Sequence, residues 1–141
     1  MIAARHIYLY PPIYLSTHID RLRPALLQEY PMSAVRSVVS IADFDNLVTG
    51  TVPVLVDFWG PWCKPCRALD PVIEELAAKA GNGLVCVKVN VEEAGPLAHA
   101  LQVKSLPTLM VFRGGELVRR RIGASSREKL LAWVEETLLE R

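Results

Sequence analysis

The chain has 141 residues, enough for one domain with a buried core. An apolar share of 51% argues against general disorder, and a net charge of +1 argues against a nucleic-acid platform or a polybasic membrane surface. Three cysteines, an odd and small number, do not fit a secreted disulfide framework. The longest uncharged run near the start, His6 to Ile19, is interrupted by Pro11 and Pro12. It falls short of the roughly 20 residues a membrane span needs, and the prolines also spoil it as a signal peptide.

Two compositions meet near Met32. Residues 1–31 hold all four tyrosines and no glycine or cysteine. They read as an N-terminal extension, with residues 32–141 as the main domain. Thr17 is positioned to cap a short helix reaching Glu29, with Ile19, Leu22 and Leu26 on one face and Pro24 breaking its regularity. So many apolar side chains imply that the extension packs on a hydrophobic surface, either of its own domain or of a second copy in a homodimer; a weak interfacial membrane anchor, the other option, is disfavoured by its scarcity of lysine. The alternative is that the working protein begins at Met32.

From Met32 onward, strand and helix signals alternate. Val35 to Val39 is a short β-rich run, and Ser40 to Asp43 resembles a capping box opening a helix that ends about Val48. Val54 to Trp59 is almost continuously apolar, as a strand buried on both faces should be. A helix is predicted from about Lys64 to Ala80, with Cys66, Leu69, Ile73, Leu76, Ala77 and Ala80 inward. Pro71 lies inside it, and Gly81 and Gly83 end it. Leu84 to Asn90 is a second interior strand, followed by a short helix from Pro96 to about Leu101. Thr108–Phe112 and Glu116–Ile122 flank Arg113-Gly114-Gly115, a hairpin signal. The last helix is predicted to start at Ser125 with Glu128 as its capping-box partner, its apolar face being Leu130, Leu131, Val134 and Leu138. The order βαβαβαββα gives an α/β fold, a central mixed β-sheet flanked by helices on both faces.

The chemistry is concentrated in Trp59-Gly60-Pro61-Trp62-Cys63-Lys64-Pro65-Cys66. Two cysteines three residues apart at a strand-to-helix junction can close and open a disulfide by side-chain rotation. Free N–H groups and the helix dipole in the first turn favour a thiolate on Cys63. Pro65 suits that turn because its missing N–H costs nothing there. Cys66, on the inward face, reads as the buried resolving thiol. A structural zinc site would need two further ligands, and Cys86 and three scattered histidines are poor candidates, so no metal is expected. Cys86, between Val85 and Val87, reads as a buried small hydrophobe. His99 reads as a surface residue, and Arg119-Arg120-Arg121 as a charged sheet edge.

From about Ser33 to Arg141 the chain resembles the thioredoxin family. The matching residues are Val56-Asp57-Phe58-Trp59, Trp62-Cys63, Pro65-Cys66, Pro71, Lys88, Leu106-Pro107-Thr108, Gly115 and Gly123. The resemblance implies a thioredoxin fold and protein-disulfide reductase activity, in which Cys63 attacks and Cys66 resolves. It implies that Asp57 moves a proton to and from Cys66, with Lys88 near its carboxyl; a purely structural ion pair is the alternative role for those two. Pro107 matches the family's cis-proline. Trp62, Lys64, Pro65, Leu106, Pro107 and Gly123 are the expected substrate-binding positions, and Trp59 and Pro71 structural ones. No bound cofactor is implied beyond the redox-active Cys63–Cys66 disulfide. The expected partners are disulfide-containing proteins and a flavin-dependent thioredoxin reductase, without nucleic acid or membrane, in the cytoplasm. Lys64 stands where the family usually has glycine and Gly60 where alanine is commoner. The added charge at Lys64 implies a more oxidising potential, which opens an oxidase or isomerase reading; a redox-silent binding module is the third.

Overall fold

The computed structural model describes residues 34–140. The helix expected over residues 17–29, and with it the extension, lies outside them. The elements, in order, are β1 (Val35–Ser37), α1 (Ile41–Val48), β2 (Val54–Trp59), α2 (Lys64–Ala80), β3 (Val85–Asn90), α3 (Gly95–Ala100), β4 (Thr108–Arg113), β5 (Glu116–Ile122) and α4 (Arg127–Leu139). The order is the one read from the sequence. The strands form one mixed sheet, β1-β3-β2-β4-β5. β3 runs parallel to both β1 and β2, while β4 runs antiparallel to β2 and β5.

β2 is central, and its alternation builds two cores. Val54, Val56 and Phe58 face one way, joining Phe44 and Val48 of α1, Leu97 and Ala98 of α3, and Met110 and Phe112 of β4. Phe44 and Phe112 meet edge to face at 5.2 Å. Leu55 faces the other way, with Cys86, Leu109 and Val111, against Leu69, Ile73 and Leu76 of α2 and Leu130 and Trp133 of α4. Each large side chain buried in this way contributes roughly 1.5–3 kcal/mol. Asp57 alternates onto the second face, so the strand's single charge is placed in an apolar layer.

Local signals set the element ends. Ser40 caps α1 through the Asp43 N–H at 3.1 Å. α2 continues through Pro71, whose missing N–H leaves the Arg67 carbonyl without that helical partner. Gly114 and Gly115 take positive φ (59° and 82°), as a tight two-residue hairpin requires. Their N–H groups donate to the Gly50 and Val48 carbonyls, tying the hairpin tip to the end of α1.

The last helix corrects the sequence reading. Its cap is Ser126, which accepts from the Lys129 N–H at 3.4 Å, while Ser125 accepts from Arg121 instead. Its inner face is Leu130, Trp133, Val134 and Thr137, with Leu131 and Leu138 only partly buried. The arginines of edge strand β5 are engaged, and only Arg120 of the three is exposed, Arg119 and Arg121 being half-buried. Arg119 pairs with Glu136 and Glu140 of the α4 end, and Arg120 donates to the Leu101 and Gln102 carbonyls after α3.

Candidate active site

The site lies where β2 ends and α2 begins. Cys63 is the N-cap of α2 in extended conformation, and its Sγ accepts the Cys66 N–H at 3.3 Å. The two sulfurs are joined as a disulfide, with Cα atoms 5.3 Å apart. The first turn of α2 carries no acidic residue, so no side-chain carboxylate there competes for its dipole. Cys63 is 8% exposed and Cys66 fully buried. One turn of helix therefore separates a cysteine that keeps a small exposure from one sealed in the core.

The loop before the helix is braced at several points. The Cys63 N–H donates to the Gly60 carbonyl at 3.0 Å, and Arg67 donates to the Pro61 carbonyl. Trp62 is 60% exposed, and its indole lies over Gly60: an added Cβ there would fall 2.7 Å from the ring. Glycine at position 60 thus makes room for this placement of Trp62. Pro65 lies in the first turn.

Facing the disulfide is the loop before β4. Leu106–Pro107 is a cis peptide, the Pro107 carbonyl accepts the Gly123 N–H at 2.9 Å, and the Thr108 hydroxyl donates to the Ser105 carbonyl at 2.6 Å. A groove of about 540 Å³ runs between the two loops, lined by Trp62, Cys63, Lys64, Pro65, Lys104, Ser105 and Leu106. Four of the six expected substrate-binding residues line it. Pro107 is buried beside Leu106, and Gly123 is tied to Pro107 by its N–H rather than being among the groove-lining residues. Lys104 and Ser105 carry no motif, and the sequence reading missed them.

On the face of β2 that α2 covers, Asp57 is fully buried, and neither carboxylate oxygen has a hydrogen-bond partner. Burial raises its pKa from 3.8 to about 7; Lys88 opposes that rise and Asp70 adds to it. Lys88 is the register neighbour of Asp57. Its ammonium, however, pairs with Asp70 Oδ1 at 2.5 Å and lies 4.5 Å from the centre of the Trp59 ring. The Asp57–Lys88 ion pair held as an alternative is absent among the described residues. Asp70 was not singled out from the sequence; its one signal is its position a helical turn after Cys66.

Cys86 is a free, buried thiol whose pKa burial pushes up to about 12, which leaves it inert at neutral pH. Pro71 and His99 are exposed. Among the described residues no cluster of three His, Cys, Asp or Glu could hold a metal ion, and no helix is long and apolar enough to cross a membrane.

The thioredoxin family model matches residues 35–136. The chain belongs to the thioredoxin family. It is 39% identical over 122 residues to the chloroplastic M-type thioredoxin of Chlamydomonas reinhardtii, covering 82% of this chain and 87% of that one. It is also 39% identical over 94 residues to the bifunctional thioredoxin reductase/thioredoxin of Mycobacterium leprae, covering 67% of this chain and 20% of that protein. A mutant thioredoxin structure from Halobacterium salinarum superposes with a TM-score of 0.68 at 31% identity, covering 76% of this chain and 93% of that one. The protein is a thiol–disulfide oxidoreductase with Cys63 and Cys66 as its redox pair.

Proposed function

We propose that the protein is a general reductase of protein disulfides in the cytoplasm, recharged by a thioredoxin-reductase-type flavoprotein. The observation that carries this reading is the Cys63–Cys66 pair at the start of α2, with one sulfur at the groove and the other buried. The Cys63 thiolate attacks one sulfur of a substrate disulfide held along the groove. A mixed disulfide forms, and the first substrate thiolate leaves. Asp57 then takes the proton from the Cys66 thiol, and Cys66 attacks the Cys63 sulfur. The second substrate thiolate leaves, and two electrons have moved from the dithiol to the substrate. A carboxyl with a pKa of about 7 is matched to this proton transfer near neutrality. Trp62, Lys64, Pro65 and Leu106 form the walls, while Pro107 presents backbone to an extended substrate segment and Gly123 fixes that backbone.

No bound cofactor is needed, because the dithiol carries the electrons. The single-chain reductase/thioredoxin from Mycobacterium leprae supports the flavoprotein partner. Free Cys86 is consistent with a reducing compartment. A second reading, an oxidase or isomerase, is favoured by Lys64 beside Cys63; a redox titration against glutathione separates it from the first. The main test is reduction of insulin disulfides with dithiothreitol as electron source. Cys63→Ser abolishes the activity, and Cys66→Ser accumulates the mixed disulfide; full activity in Cys63→Ser would refute the assignment.

A further inference from the structure

Three ionisable groups between α2 and the sheet are arranged unexpectedly. Asp57 and Lys88 sit side by side on β2 and β3, in register. A buried carboxylate beside a lysine normally captures it, because an unpaired buried charge is costly. Here both Asp57 oxygens are unpartnered, and the lysine turns elsewhere. Its ammonium is held at 2.5 Å by Asp70 on α2 and rests over the Trp59 ring. Asp70 is 40% exposed and Lys88 19%, so the pair sits at the edge of the buried layer, within reach of solvent.

We propose that Asp70 is a positioning residue for the disulfide-exchange reaction: it draws the Lys88 ammonium off Asp57 and so leaves the buried carboxyl unpaired and ready to take a proton. The kinetic part rests on the reading of Asp57 as proton acceptor for Cys66; the geometric part does not. Were Lys88 free to close on Asp57, the carboxylate would be held ionised to lower pH and would become a weaker base. α2 also carries Lys64, Arg67, Glu74, Glu75 and Lys79, and β4 carries Arg113, but the charges that act on Asp57 are those of Lys88 and Asp70. α2 further brings Cys63 and Cys66, and β3 brings Cys86, which is un-ionised at neutral pH. β4 brings Leu109 into register opposite it, without charge.

The test uses the full chain in its oxidised form, where Cys66 does not titrate, so that the carboxyl is read without a coupled thiol. The Asp57 side-chain carbon is followed by NMR against pH in the wild type, Asp70→Asn, Lys88→Gln and the double variant. Asp70→Asn is expected to lower the Asp57 midpoint by roughly one pH unit, the effect of an opposite charge moving close. Asp70→Glu restores the wild-type midpoint. In the Lys88→Gln background, Asp70→Asn leaves only the smaller fall that follows from losing the Asp70 charge itself. An equal shift in both backgrounds would mean that Asp70 acts by its own charge, and would overturn the proposal, as would no shift in the single variant. Melting temperatures check that each variant is folded; a purely structural Asp70 would lower them without moving the midpoint.

The rate of thionitrobenzoate release from a Cys63 mixed disulfide is then measured against pH. Its half-maximal pH is expected to fall together with the NMR midpoint in Asp70→Asn. A shift by NMR with an unchanged rate profile would leave the positioning intact and refute Asp57 as the proton acceptor, so the two readings fail separately.

Discussion

Replacing Asp57 with Asn should stabilise the oxidised protein, and by an amount that depends on pH. The folded carboxyl titrates near 7, against 3.8 for the ordinary group. Between these values the folded state keeps a proton that the unfolded state has released. Stability therefore falls as pH rises through this window and stays lowered above it. The rise from 3.8 to about 7 spans a little over three pH units. At about 1.4 kcal/mol per unit, the ionised carboxyl costs the fold roughly 4 kcal/mol at pH 7 and above. Asn has the same shape and cannot ionise. Any fixed cost of its buried amide is independent of pH and cancels when the difference between the two proteins is followed along the pH axis. Urea unfolding of oxidised wild type and Asp57→Asn at intervals from pH 4 to 8.5 reads this difference directly. It should favour Asn increasingly, by about 1.4 kcal/mol per unit, and level off above about pH 7. A difference that stays constant across the range would refute the raised pKa and the desolvation argument behind it.

Other expectations concern the groove and the third cysteine. Lys64→Gln removes a cation beside Cys63, and its reduction potential against glutathione should fall by roughly 5–20 mV, the equivalent of an exposed charge interaction. Lys64 and Lys104 both line the groove without ion-pair partners among the described residues. Lys64→Glu/Lys104→Glu should lower kcat/KM several-fold for a disulfide peptide with acidic flanks and raise it for one with basic flanks, both effects shrinking in high salt. Equal changes for the two peptides would remove charge from the specificity argument. Mass spectrometry after iodoacetamide treatment of the reduced protein should find Cys63 labelled at neutral pH and Cys86 unlabelled until denaturant is added.

What the sequence showed, and what it hid, follows from the range of the forces involved. Strand β2 was legible because a run buried on both faces must be apolar, and the odd residue, Asp57, then had to be buried too. The α2 start was legible because caps, first-turn proline and paired cysteines are local. Helix α4 was misread at its cap and on part of its face. Either Ser125 or Ser126 could cap it, and the choice was made by Arg121, a strand residue that takes Ser125 at 2.8 Å. Thr137 is buried although polar because its hydroxyl donates to the Trp133 carbonyl at 2.6 Å, one turn back. Counting apolar residues passes over such a position. Asp70 was missed because a carboxylate on a helix flank reads as solvated, and its partner arrives on another strand 18 positions away.

The placement of the site resolves two opposed requirements. The attacking sulfur needs access to substrate and a positive field; the resolving sulfur needs protection and a base. A helix that starts at the surface and runs across the sheet supplies both within four residues, with Cys63 at the capped end and Cys66 already in the core. The base must come from the sheet beneath, and β2 can deliver it only on the face that α2 covers. Period-two alternation gives Asp57 to that face together with Leu55, so the carboxyl proposed to serve the thiol is set in the apolar layer that holds α2 down. Its raised pKa is thus a consequence of where the helix packs. The destabilisation it brings is local to that layer, which suits the two cores this sheet builds: among the described residues the opposite face, with Phe44, Phe58 and Phe112, contains no buried charge. Moving Asp57 by one residue along β2 would place the carboxyl in that opposite layer, on the far side of the sheet from Cys66, with the cost of burial kept and the proposed proton transfer lost.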